Sequence, residues 1–189
     1  MPNWCSNLVE VGGDPSDVQA YLDFISPNPN CDEFDFEKII PIPKTLIQKS
    51  SLRCPTSDEV SDVCCMLCGF GSSYDFCCAK WGTKWNANDP CINRSSGSVY
   101  FDTAWSPPEP VICKLSKMFP KLSFTLKAFE GGCCICGVVT YQNGSVISFN
   151  YPDPDTKEYY ELMFEVAGGE DEYVFDPAKN TYVLKDEEN

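Results

Sequence analysis

The chain has 189 residues, of which 43% are apolar and 22% charged, which fits one folded domain and excludes a wholly disordered protein. Its 28 acidic and 14 basic residues give a net charge of −14, which disfavours direct binding to nucleic-acid phosphates. The absence of histidine excludes His-dependent catalytic triads and His-ligated zinc sites within the chain.

Neither a membrane span nor an export signal is predicted. No run of about 18 apolar residues occurs, so we expect no membrane partner. The first residues, Met1 to Asn7, lack the basic and then apolar pattern of a secretory signal. We therefore expect a cytoplasmic protein with free thiols.

The first part of the chain predicts strand, helix and strand. Residues 7–11 alternate as a strand, and Asp14 followed by Pro15 is typical of a helix start. Residues 34–43 are predicted to be extended and to supply the second strand. The helix has an apolar stripe formed by Val18, Tyr21, Leu22 and Ile25.

The next segment, about 44–97, is predicted to be a helical insertion. Thr56 to Glu59 resembles a capping box before a helix that continues to residue 67, and a shorter helix is predicted over 74–81. The insertion thus separates two similar halves.

The second half again predicts strand, helix and strand. Residues 98–105 alternate as a strand, and Ser106 to Glu109 resembles a capping box for a helix that Pro120 ends. A strand over 122–126 follows, and Asn143-Gly144 predicts a hairpin between residues 134–141 and 145–150. The order βαββαβ predicts an α+β, ferredoxin-like sandwich over residues 1–150.

The last 39 residues, 151–189, form a distinct acidic segment. They contain 12 acidic and 3 basic residues and therefore carry −9 of the net charge. Asp155 is predicted to cap a helix that Gly168 ends, and residues 173–184 are predicted to form a hairpin. The apolar periodicity favours a helix-hairpin extension docked on the domain.

Four sequence blocks carry a resemblance to a known family. They are Met1 to Asn7, Phe36 to Pro43, Trp81 to Trp85 and Phe101 to Pro108. Together they resemble the YubB-like proteins, a phage- and plasmid-borne family with a ferredoxin-like domain. The resemblance spans roughly residues 1–145; it implies this fold and a mobile-element origin in a bacterial host cell, and it implies no particular activity.

The 13 cysteines permit three interpretations. Cys65/Cys68 and Cys133/Cys136 have the CxxC spacing of a four-thiolate zinc site. Their apolar contexts favour packing as small core residues, and disulfides are the third alternative. We expect no metal and no cofactor.

All four tryptophans lie in the sequence blocks that carry the family resemblance. This placement suggests either that they clamp the fold together or that they form a binding surface. If the first strand neighbours the strand over 98–105, polar and aromatic residues meet at one rim. Such a rim suits a small nucleotide-like ligand. The candidate ligand-binding residues are Asn7, Trp81, Lys84, Trp85, Asp102, Thr103 and Trp105.

Two functional hypotheses follow, and neither involves catalysis, since no catalytic motif is recognisable. The first is counter-defence: an acidic surface that includes Glu170, Asp171 and Glu172 imitates nucleic acid and binds a host defence or nucleic-acid-processing protein. The alternative is a small-ligand binding protein that uses the tryptophan blocks. High negative charge also simply favours solubility.

Overall fold

The computed structural model describes residues 3–51 and 69–185, and the side chains of residues 48–51 are not considered. The elements are β1 Trp4–Gly12, α1 Pro15–Ile25, α2 Phe36–Ile39, α3 Lys44–Ser51, α4 Ser73–Lys80, β2 Asn88–Asn93, β3 Ser98–Ala104, α5 Glu109–Met118, β4 Ser123–Glu130, β5 Ile135–Gln142, β6 Ser145–Asn150, α6 Lys157–Ala167, β7 Tyr173–Asp176 and β8 Thr181–Leu184. A 3₁₀ turn, Glu170–Glu172, links α6 to β7.

The main sheet has six strands in the order β2-β3-β1-β4-β5-β6, and every neighbouring pair is antiparallel. Strands β1 to β4 with helices α1 and α5 have the βαββαβ order, and β5 and β6 extend the sheet beyond β4. The predicted α+β class is confirmed. Among the described helices, none is long and apolar enough to cross a membrane.

The second strand of the motif is β2, and the sequence prediction placed it wrongly. Residues 34–43 contain the short helix α2, whose first turn is capped by the Asp35 carboxylate accepting from the Glu37 amide. Strand β2 instead lies inside the predicted insertion of 44–97, so the segment between α1 and β2 is the actual interruption. Pattern analysis missed β2 because it contains Pro90 and only Ile92 is buried. Both features suit an edge strand.

Helix starts were predicted with mixed success. The Asp14 side chain accepts from the Ser16 amide at the start of α1, as predicted. Ser106 does not cap α5, because the Ser106 hydroxyl donates to the Gly82 carbonyl. Helix α5 begins after Pro108. The cap of α6 is Thr156 rather than Asp155. The predicted helix over 56–67 lies outside the described residues.

The two faces of the sheet are covered by different helices. Helices α1 and α5 pack on the face that bears Val9, Phe101 and Leu126, which form the main core. Helix α6 packs on the opposite face, where Leu162 and Val166 contact the side chain of Cys136. The extension after residue 150 therefore contacts the sheet through its helix.

An ion-pair bridge joins α6 to the middle of the sheet. The Lys127 ammonium lies 2.9 Å from Glu10 on β1 and also pairs with Glu165 on α6. The Lys127 side chain is 16% exposed, whereas Glu10 and Glu165 are 48% and 44% exposed, so the bridge lies at the boundary between the α6 contact and solvent.

The described cysteines are mainly not core residues, contrary to the favoured interpretation. Among the nine described, all of them free, only Cys5, Cys77 and Cys136 are buried. Cys133 is exposed, so the Cys133/Cys136 pair, one half of the alternative zinc interpretation, has one exposed and one buried thiol. Cys65 and Cys68 lie outside the described residues, and within the described ranges no group of three metal-ligating residues occurs.

Candidate functional site

Two of the predicted site residues form a buried polar link between β1 and β3. The Asn7 amide nitrogen donates to the Cys5 carbonyl at 2.7 Å and to the Thr103 hydroxyl at 2.9 Å. Thr103 in turn donates to the Ser106 carbonyl at 2.8 Å. Asn7 and Thr103 are completely buried under the helical layer, so they join strands and cannot line a surface site.

A second set of contacts anchors the loop between α4 and β2. The Trp81 indole N–H donates to the Ile40 carbonyl at 2.8 Å, and its ring packs edge-on against Phe36. The Thr83 hydroxyl donates to the Ala104 carbonyl at 2.9 Å. These contacts fix both the start and the middle of the loop against the core.

Gly82 allows the loop to pass close to the start of α5. Its φ is +82°, and a Cβ there would lie 2.9 Å from Pro110 and 3.0 Å from the Pro107 carbonyl oxygen. Only glycine combines this backbone conformation with such a close approach. The Ser106 hydroxyl donates to the Gly82 carbonyl and completes the connection.

The anchored loop presents Lys84 and Trp85 at the surface, beside α4. Here an open groove of about 330 Å³, which we call the α4 groove, lies between the helix and the loop. Tyr74 is 58% exposed and Trp85 is 48% exposed, whereas Trp81 is buried. The main lining residues are Ile42, Tyr74, Cys77, Trp81, Lys84 and Trp85.

The α4 groove combines aromatic surface with one cation. The Lys84 ammonium lies 4.2 Å from the centre of the Trp85 ring, a cation–π contact that holds the charge at the groove. The centre of the Trp4 ring lies 6.3 Å from the centre of the Trp85 ring. This arrangement can stack a flat ring and attract a negative group.

Two titratable groups of the α4 groove, one thiol and one phenol, have raised pKa values. Burial raises the pKa of the Cys77 thiol to about 11, so the thiol is protonated at neutral pH. A hydrogen bond with Cys78 raises the pKa of Tyr74, which keeps its phenol neutral.

The other predicted site residues lie elsewhere. Asp102 accepts from the Ser6 hydroxyl at 3.0 Å and, by strand alternation, projects from the face opposite Thr103. Trp105 is half-exposed at the end of β3, outside the α4 groove. The structure therefore brings together Trp81, Lys84 and Trp85 of the predicted set. Sequence analysis missed Tyr74, although it predicted the helix that carries it.

The predicted partner-binding residues lie apart from the α4 groove, on the turn after α6. Glu170, Asp171 and Glu172 are consecutive and exposed. Within the described part of the chain, none of the three forms an ion pair.

The strand order and the two crossover helices define the ferredoxin-like α+β class. Residues 80–173 match a family described as "Ferredoxin-like domain in Api92-like protein". The chain is similar in structure to a protein api92 from Yersinia pseudotuberculosis, whose crystal structure is known. The TM-score is 0.54 and the sequence identity is 11%, and the match covers 81% of this chain and 99% of that chain. No curated protein matches the chain.

These comparisons support the fold more than any function. At 11% identity, the likeness to api92 shows the fold alone. The family match begins at Lys80, so it includes the anchored loop, and it ends at the start of β7. The finer resemblance to YubB-like proteins remains a prediction.

Proposed function

We propose that this chain is a non-enzymatic binding protein whose α4 groove takes a flat, anionic ligand such as a nucleotide. The observation that carries the proposal is the exposure of Tyr74 and Trp85 around the Lys84 ammonium. Exposed aromatic rings that the surrounding fold holds in place supply stacking surface at low entropic cost.

Each part of the α4 groove has a distinct role in this proposal. The ligand ring stacks on Trp85, and a phosphate pairs with Lys84 in place of the cation–π contact. Tyr74 forms the opposite wall. The buried ring of Trp81 contributes by supporting the loop, and the net charge of −14 disfavours a long nucleic acid over a single nucleotide.

Isothermal titration calorimetry with ATP and with adenosine tests this function, because its readout does not depend on the residue that is removed. We expect Trp85→Ala to weaken binding of both ligands by about tenfold or more, because stacking on one base contributes about 1–3 kcal/mol. Lys84→Gln should weaken ATP binding while leaving adenosine binding unchanged.

Matched controls separate this site from general effects. Trp105→Ala removes another half-exposed indole, and Lys114→Gln removes an exposed cation on α5. Both should bind ATP as the unmodified protein does. The proposal is wrong if no nucleotide binds, or if Trp105→Ala weakens binding as much as Trp85→Ala.

We propose partner binding by the acidic extension as a second candidate function. It is favoured by the exposure of Glu170, Asp171 and Glu172 on one turn, in a segment where 12 acidic residues outnumber 3 basic ones. Such a surface suits the Lys/Arg groove of a nucleic-acid-processing or host defence protein. The role would then be counter-defence in a bacterial cytoplasm.

A capture experiment from bacterial lysate tests the second function. We expect a captured nucleic-acid-processing protein to dissociate as salt rises from 50 to 500 mM, because charge pairing is screened. The triple substitution Glu170→Gln, Asp171→Asn and Glu172→Gln should abolish capture, while Glu158→Gln, at an exposed position of α6, should retain it. Capture that is insensitive to salt and to the triple substitution would contradict charge imitation.

A further inference from the structure

The outer edge of β6 is an open sheet edge. β6 is the last strand of the six-stranded sheet, and all of its residues are exposed. No strand in the described part of the chain pairs with its outer side. An edge strand of this kind presents unpaired backbone N–H and C=O groups that can pair with another strand.

Large apolar side chains accompany these backbone groups. Val146 and Ile147 are 51% and 57% exposed, and Phe149 and Tyr151 are 70% and 56% exposed. Tyr151 is held in place because its ring covers Gly137, where a Cβ would lie only 2.4 Å from the ring. We call residues 145–151 the β6 edge.

The β6 edge lacks the charges that usually protect sheet edges. Proteins commonly place lysine or other charged residues on such edges to prevent pairing. Here residues 131–152, which include all of β5 and β6, contain no charged residue, although 22% of the chain is charged. The irregular register near Ile147 is the one protective feature in β6.

The charge distribution selects the occupant of this edge. Two copies of a chain with net charge −14 repel each other over most orientations. Pairing through the β5–β6 hairpins reduces this repulsion, because residues 131–152 contain no charged residue. A basic partner, by contrast, would be attracted to the acidic extension rather than to this neutral edge.

We infer that the β6 edge is a self-association surface at which β6 of two copies pair antiparallel about a two-fold axis. The product is a continuous twelve-stranded sheet with Phe149 of both copies in the contact. Val146, Ile147 and Phe149, together with the backbone of one strand, supply on the order of 500 Å² per copy, below the about 800 Å² of a standard interface. The dimer should therefore be dissociable. This inference is independent of the α4 groove.

Light scattering coupled to size-exclusion chromatography tests the inference on the full chain under reducing conditions. The mass should rise from 21.1 kDa towards twice that value as concentration increases. Ile147→Lys and Phe149→Lys, each at an exposed position, should weaken association at least tenfold. Leu184→Lys, on the 63%-exposed residue of β8, is the matched control and should associate normally.

Two further readouts distinguish strand pairing from other association. Amide hydrogen exchange at residues 145–150 should slow with concentration, whereas exchange in β8 should not change. Raising salt should strengthen the dimer, because screening reduces the repulsion between two acidic chains. A monomer at every concentration, association equally lost in Leu184→Lys, or a β6 edge that is occupied only by another protein would overturn the inference.

Discussion

Trp81→Ala is expected to lower the free energy of unfolding by about 3–5 kcal/mol, the range for removing a large aromatic side chain from a core. The Trp81 ring is 3% exposed and packs against Phe36, and its indole N–H donates to the Ile40 carbonyl. The substitution leaves a cavity and an unpaired carbonyl at the point where the α4–β2 loop meets α2. Urea unfolding followed by circular dichroism, under reducing conditions, measures the loss.

Trp85→Ala is the matched comparison, since Trp85 lies four residues later and is 48% exposed. Removal of the Trp85 side chain should lower the free energy of unfolding by less than about 1 kcal/mol, as is typical of substitutions at the surface. Equal losses for the two variants would contradict the division of this loop into an anchor and a binding residue. Retained stability in Trp81→Ala would contradict the anchor itself.

Asn7→Ala is expected to lower the free energy of unfolding by about 3 kcal/mol, because it removes a buried donor group from several acceptors at once. The amide bridges the Cys5 carbonyl and the Thr103 hydroxyl and also approaches the Phe101 carbonyl at 3.3 Å. Asn7 is completely buried, so no solvent molecule takes the place of the lost donor. Chemical unfolding again provides the measurement.

Ser6→Ala tests whether the effect is specific to the buried amide. Ser6 is the preceding residue, projects from the opposite face and is partly exposed, with its hydroxyl bonded to Asp102. The Ser6→Ala substitution should lower the free energy of unfolding by about 1 kcal/mol or less. If Asn7→Ala were as mild as Ser6→Ala, the polar link between β1 and β3 would contribute little to the fold.

Local signals in the sequence predicted several elements well. Asp14-Pro15 marked the start of α1, and Asn143-Gly144 marked the hairpin between β5 and β6, with both turn residues at positive φ. These features depend on side-chain capping and on backbone conformations that few residues adopt. Such preferences act over a few residues and need no tertiary partner.

Other elements depended on packing that no local pattern reveals. Strand β2 has a single buried residue, Ile92, and is held by pairing with β3 rather than by its own composition. The apolar residues of 36–39 suit an extended segment equally well, and burial of Phe36 against Phe101 accompanies a short helix instead. Tertiary contacts outweighed local preference at both places.

The candidate site shows the same division. The sequence by itself determined that catalysis by histidine is impossible and that the chain is strongly acidic, and it predicted a candidate site in the tryptophan blocks. Only the tertiary structure decided which block residues are buried links, such as Asn7 and Thr103, and which reach solvent, such as Lys84 and Trp85. The physical reason is that exposure depends on which face of the sheet a residue occupies and on what covers that face, and both follow from contacts between residues far apart in the chain.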